Sequence, residues 1–194
     1  MKKWLLPIIL IGALILWGIS QNNKMIDMKG KGSIDWANVE TAYQRRMDLY
    51  DNLVSVVKGA ANHEKTTLEA VIKARAEATQ VKIDPSNMTP EKMAAFQKAQ
   101  SGLAGAFNKL MMVHENYPDL KANQNFLEFQ SQMEGTENRI NTARTRYNES
   151  AGAYNIFISK FPSSLVAKVA GFKGMELFKG EAGSAKAPKI DLIN

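Results

Sequence analysis

Residues 126–157 read FLEFQSQMEGTENRINTARTRYNESAGAYNIF. Phe126, Phe129, Met133, Thr136, Ile140, Ala143, Tyr147, Ser150, Tyr154 and Phe157 follow one another at alternating steps of three and four. That spacing gives one apolar stripe on an α-helix, and its seven-residue period predicts a left-handed supercoil against a partner helix. No segment of the chain sustains the period of two that a half-buried strand needs. The stretch therefore fixes the class as all-α.

Working outward, Phe161-Pro162 stops this helix. Ser163-Ser164 then offers caps for a short one carrying Leu165, Val166, Val169 and Phe172. Beyond Lys173 the chain is rich in Gly, Ala and Lys, and a largely irregular tail is expected over 173–194, apart from the apolar Met175, Leu177 and Phe178. On the other side, Tyr117-Pro118-Asp119 is a break. Phe96, Gln100, Leu103, Phe107, Leu110 and His114 form the stripe before it, opened by Thr89-Pro90-Glu91, a capping hydroxyl, a first-turn proline and an acid. Ser101-Gly102 and Ala104-Gly105-Ala106 lack bulk, which predicts close approach of a neighbouring helix.

Asp84-Pro85-Ser86-Asn87 separates that helix from an earlier one. In this first long segment Tyr43, Met47, Tyr50, Val54, Val57 and Ala61 recur at steps of three and four, with Leu68 and Val71 continuing the seam. Ser33 is the expected N-cap, with Asp35 in the first turn. Lys29-Gly30-Lys31-Gly32 reads as a hinge. Helical seams joined by short breaks imply an elongated antiparallel bundle over 33–172.

Upstream, Leu5 to Ile19 is an unbroken apolar run behind Lys2 and Lys3, bracketed by Trp4 and Trp17. Trp4 to Ser20, seventeen uncharged residues, give roughly 25 Å of helix against a hydrocarbon layer of about 30 Å. Tryptophans suit the two interfaces. A cleaved signal peptide is the competing reading, with Gly18 and Ser20 as small residues near a cleavage point. The apolar run is long for that role and carries Trp17 near its far end. The expected organisation is a membrane anchor over 1–23 that meets the bilayer through Leu5–Ile19, a flexible linker over 24–32, the bundle, and the tail. Lys2, Lys3 and the α-amino group closely flank one end of the run, while Lys24, Lys29 and Lys31, diluted by Asp27, lie further from the other, which favours a cytoplasmic N-terminus and an extracytoplasmic bundle.

Roughly 170 residues remain for the bundle, enough for one core. The net charge of +6 includes Lys2 and Lys3, and the other charges are interspersed, as in Glu64-Lys65 and Glu91-Lys92. That is a solvated surface, so a nucleic-acid partner is not expected. Arg45-Arg46 and Arg139, Arg144 and Arg146 are the densest basic spots and read as outer-face residues. With no cysteine, disulfides, thiolate metal sites and thiol catalysis are excluded.

The two histidines are His63 and His114. His63-Glu64 starts like a zincin helix, but Thr67 stands where the second histidine belongs. No Glu-x-x-His occurs, since Ala60 and Met111 hold those positions, so a di-iron bundle site is not expected. His63 reads as solvated and His114 as a boundary residue of its stripe. Serine-elbow and phosphate-loop motifs are absent. No catalytic, cofactor-binding or metal-binding residue is assigned, and an enzyme is not expected. An interfacial membrane role for Phe161–Phe172, flanked by Lys160, Lys168 and Lys173, is weighed against a bundle cap.

Tyr43-Gln44-Arg45-Arg46-Met47-Asp48-Leu49, Asn52-Leu53-Val54, Val57-Lys58-Gly59 and His63-Glu64 resemble the first signature of the LemA family. Tyr117-Pro118-Asp119-Leu120-Lys121-Ala122-Asn123 with Phe126-Leu127 resembles its second. Asn138-Arg139-Ile140, Ala143-Arg144 and Tyr147-Asn148 resemble its third, and Phe161-Pro162-Ser163-Ser164 with Gly171-Phe172 its last. The chain departs from the family at Tyr50-Asp51, where Ile-Pro is usual, and at Gly30 and Gly32. The resemblance implies a single-pass bacterial membrane protein with a helical bundle, and no particular reaction. The expected function is a non-catalytic scaffold or adaptor of the cell envelope, partnered by envelope proteins or by itself. The alternative is a sensor or carrier holding a small apolar ligand, with Gly102 and Gly105 making room.

Overall fold

A computed structural model of the chain describes residues 2–60, 65–114 and 124–180. Helix α1 runs over Lys2–Ala60, α2 over Lys65–Gln80, α3 over Pro90–His114, α4 over Gln124–Ser159 and α5 over Ser163–Ala170, with a 3-10 turn at Pro85–Asn87. No strand occurs among the described residues. The expectations for Ala61, His63, Glu64, the Tyr117–Asn123 signature and 181–194 fall outside them.

Helix α4 carries the stripe as read. Phe126, Phe129, Met133, Thr136, Ile140, Ala143, Tyr147, Ser150 and Tyr154 are all buried, joined by Ala151. The two hydroxyls on the seam satisfy themselves within the helix: Thr136 Oγ1 donates to the Gln132 carbonyl at 2.8 Å and Ser150 Oγ to that of Tyr147 at 3.1 Å. The stripe packs on α1, where Trp36, Val39, Tyr43, Arg46, Tyr50 and Leu53 face it at the same three-four cadence. Trp36 meets Tyr147 and Arg46 meets Glu137, so residue numbers rise along α1 as they fall along α4 and the pair is antiparallel. Helix α2 folds back on α1, with Arg75 bonded to Asp51, in place of the single seam expected through Val71. Helix α3 then returns parallel to α1, with Tyr43 against Phe96 and Tyr50 against Phe107.

Four long helices thus form an up-down-up-down bundle with short α5 across one end. Backbones approach closely within the α1–α4 and α2–α3 pairs, whereas no described Cα of α3 lies within 8 Å of α1 or α4. Large side chains fill that wider layer. They form two apolar cores: one holds Met25, Trp36, Tyr43, Phe96, Tyr147, Tyr154 and Phe178, the other Met47, Tyr50, Leu53, Val71, Leu103, Phe126 and Phe129.

Three local expectations are corrected. Residues 24–32 are helical, continuing α1 from the apolar run into the bundle. Of the two glycines only Gly32 is a packing site, where a Cβ would lie 2.8 Å from Met175 Sδ; a Cβ at Gly30 would meet nothing within 4 Å. Ser33 caps nothing, being inside α1 with its hydroxyl on the Lys29 carbonyl at 3.2 Å. Gly102 and Gly105 admit no close neighbour, since a Cβ at either would meet nothing within 4 Å.

The start of α3 follows the sequence. Lys92 N donates to Thr89 Oγ1 at 3.3 Å, and a hydrogen bond from the Glu91 backbone amide, then one from the Thr89 hydroxyl, holds the Glu91 carboxyl below its usual pKa. At α5 the serines do not cap. Pro162 occupies the N-cap, and Ser163 Oγ donates to Gln21 Oε1 on α1 at 3.1 Å. Gly171 ends α5 in the left-handed region at φ 74°, and the Phe172 amide bonds back to the Ala167 carbonyl at 2.9 Å.

The segment after Gly171 is irregular yet bound along α4. Asn155 pairs with both backbone groups of Met175: Oδ1 accepts from its amide and Nδ2 donates to its carbonyl, each at 2.8 Å. One heptad earlier Asn148 does the same to Phe178, at 2.9 and 3.0 Å. Tyr154 and Tyr147 donate to the carbonyls of Lys173 and Glu176 at 2.9 and 2.6 Å. This strap needs no ladder of its own because α4 satisfies its backbone.

Candidate functional site

Between the two apolar cores lies one polar layer. Arg46 is only 4% exposed, which corrects its assignment to an outer face; Arg45 beside it is exposed. Its guanidinium donates to Glu137 Oε1 at 3.0 Å and to the side-chain and backbone oxygens of Gln100, and it lies 4.8 Å from the Tyr43 ring centroid. Gln100, a polar residue on an otherwise apolar stripe, is there to accept from Arg46. Glu137 is 42% exposed, so the ion pair links the interior to solvent. Burial raises the Tyr50 phenol to about 12, with Glu137 adding to the rise and the nearby guanidinium opposing it. Tyr43 is shifted upward for the same first cause.

Two clefts open where this layer interrupts apolar packing, and Tyr43 and Gln100 line both. The larger, about 1310 Å³, runs between α1, α4 and the α2–α3 connection. Met47, Ala78, Ile83 and Phe96 contribute apolar surface, and Arg139 and Arg146 stand along it. The smaller, about 670 Å³, is bordered by Lys98, Arg144 and Lys179, with Glu137 opposite. Above it Trp36 stacks on Phe178 at 5.6 Å, and Arg144 lies 4.7 Å from the Phe178 ring.

Of the residues singled out in the sequence, His63 and Glu64 lie outside the described region, and His114 is the last residue of α3. Arg139 and Arg146 join at the larger cleft, Arg144 at the smaller. Among the described residues no three His, Asp or Glu side chains gather in a way that could hold a metal ion. Gly102 and Gly105, expected to make room for a ligand, line neither cleft. Trp36 and the Arg46 layer escaped sequence reasoning. Both sit on the cadence Trp36, Val39, Tyr43, Arg46, Tyr50, Leu53, which was the available signal.

The apolar stretch of α1 contributes nothing to either core. Leu6, Ile9, Leu14 and Leu16 are exposed, and the stretch is long and apolar enough to cross a membrane. Fold and address together define a membrane-associated helical bundle. The chain belongs to the LemA family, whose sequence model matches residues 35–192. It is similar to Magnetosome protein MamQ 2 of Paramagnetospirillum magneticum, 26% identical over 191 residues that span 90% of this chain and 70% of the relative. Magnetosome protein MamQ of Magnetospirillum gryphiswaldense is 26% identical over 173 residues, 80% of this chain and 64% of that one. Protein LemA of Metamycoplasma hominis is 24% identical over 174 residues, 89% of this chain and 75% of its own length.

Proposed function

We propose that the chain is a non-catalytic scaffold of the bacterial cell envelope, which holds a rigid bundle against the bilayer and binds partner proteins along the larger cleft. The observation that carries this is the continuity of α1, which belongs both to the apolar span and to the bundle core. A bundle fixed in this way presents its groove at a set height and turns with the span. The groove itself has an apolar floor and a charged edge on which Arg45, Lys82, Arg139 and Arg146 outnumber Glu40 and Asp48, a composition that an amphipathic segment with a surplus of acidic residues complements. The names of the relatives state no reaction, in keeping with a binding role.

Lys2 and Lys3 favour the bundle on the extracytoplasmic side. Photo-crosslinking in cells tests the reading, with the reactive residue placed at Arg139 or Thr41 in the cleft and at exposed Lys109 as control. Discrete adducts from the cleft positions alone, lost when Ala42→Trp fills the floor, are expected. Adducts of equal yield from all three positions would overturn it. The same chain carrying Glu149→Cys should react with an impermeant maleimide added from the extracytoplasmic side, and protection would reverse the orientation.

A further inference from the structure

Large apolar residues are exposed at the end of the bundle nearest the span. Phe161 is 81% exposed, Leu165 55% and Val169 92%, at steps of four, and Ile156 one turn before the end of α4 is 55% exposed. Elsewhere on the bundle such residues stand singly, as Ile72 and Met112 do. Helix α5 is not loose: Ser163 and Ala167 are buried against the bundle, and the Gly171 cap turns the chain into the strap held by Asn155 and Asn148. The ridge therefore holds its position with its outer side uncovered.

Its height is fixed by the bond from Ser163 Oγ to Gln21. Gln21 is two residues past Ile19, the last residue of the apolar run, so about 3 Å along the helix separates this contact from the end of the run. Leu165 and Phe161 lie two residues from Ser163 on either side. Charge agrees with this placement: Lys24, Lys160, Lys168 and Lys173 are exposed around the ridge against one exposed carboxylate on the neighbouring turns of α1, Asp27, and no Asp or Glu occurs between Glu149 and Glu176.

We propose that the ridge formed by Phe161, in the turn before α5, and by Leu165 and Val169 of α5 rests in the interfacial layer of the bilayer that α1 crosses, with the surrounding lysines at the level of anionic headgroups. The proposal rests on the anchored reading of α1. Apolar side chains immersed beside a lysine collar are the arrangement by which amphipathic helices hold to a membrane surface, and each lysine near an anionic surface strengthens that hold. A second copy of the chain is a poorer occupant. Three side chains offer at most roughly 500 Å², below the about 800 Å² per partner of a stable interface.

The absence of cysteine makes the test direct. The full chain is reconstituted into vesicles of phosphatidylglycerol and phosphatidylcholine with one cysteine, at Val169, Phe161, Met112 or Leu10, carrying an environment-sensitive fluorophore. Lipids with a spin label near the headgroup should quench Val169 and Phe161 about threefold more than Met112, independently of protein-to-lipid ratio, and lipids labelled deep in the acyl chain should quench Leu10. Combined Lys160→Glu, Lys168→Glu and Lys173→Glu should reduce Val169 quenching while leaving helicity unchanged. If Leu10 is quenched and Val169 resembles Met112, the ridge proposal fails while the anchor stands. Loss of quenching at Leu10 would remove both. Shielding of Val169 that disappears on dilution with lipid would assign the ridge to a second copy and overturn the proposal.

Discussion

Arg46 shows how a buried charge is kept. Its two terminal nitrogens donate to oxygens of Gln100 and Glu137 and the guanidinium lies 4.8 Å from the Tyr43 ring centroid, so much of its desolvation is offset by directed partners, while Nε is buried without one. The two members of the ion pair are unequal. Truncating Glu137 strands a buried cation, whereas replacing Arg46 with an apolar residue of similar length leaves a carboxylate that water already reaches. Glu137→Ala should therefore cost roughly 2–4 kcal/mol after discounting for exposure of Glu137, and Arg46→Met about 1 kcal/mol, set by the buried Gln100 oxygen it leaves unpaired. Urea unfolding of the full chain in mild detergent, followed by circular dichroism, measures both. The reverse order would contradict this account. Tyr50 adds a pH dependence. Burial lifts its folded-state value from the ordinary 10.0 to about 12, and Tyr147 is also pushed upward, by burial and then by Glu176. Neutral phenol is the folded form, so stability from this source is complete below about pH 10 and declines as pH climbs toward 12. Absorbance titration should show tyrosinate appearing late, together with loss of helicity.

Among the elements, the strap has the least visible basis in sequence. Tyr147-Asn148 and Tyr154-Asn155 repeat at one heptad, placing two hydroxyls and two carboxamides in a row along α4. Asn155→Ala removes two hydrogen bonds and should cost about 1–2 kcal/mol, and protease should cut within 173–178 sooner. Equal cutting rates in variant and parent would argue against the clamp. Gly102→Ala with Gly105→Ala should stabilise α3 by roughly 1–2 kcal/mol in total, because each new Cβ meets open space. A loss of melting temperature would mean that these glycines contact something. The seam of α4, the stop at Phe161-Pro162 and the Thr89 cap were legible because a periodic stripe, a proline and a hydroxyl act locally. Gly32 was not legible: its role depends on Met175, far along the chain. Arg46 reads from the sequence as an outer-face residue because an inward-facing guanidinium needs a particular oxygen from another helix, and spacing alone does not name it. The reversal between α1 and α2 carries no proline, only Gly59 and Asn62, so one seam appeared to continue through it.

At the scale of the whole molecule, the decisive feature is that bilayer span and bundle core share one helix of 59 residues, about 90 Å long. Ile19 ends the apolar run and Met25, wholly buried, begins the core, leaving only a turn and a half between lipid and packed protein. Rotation or inclination of the buried segment must then be carried by everything attached to it. About 60 Å of rod lies beyond Ser20, and an inclination of roughly 20°, ordinary for such helices, would swing the far tip sideways by about 20 Å. Under the anchored reading, any change of inclination at the bilayer would be relayed along α1 to the distal tip, with the membrane surface as its fulcrum.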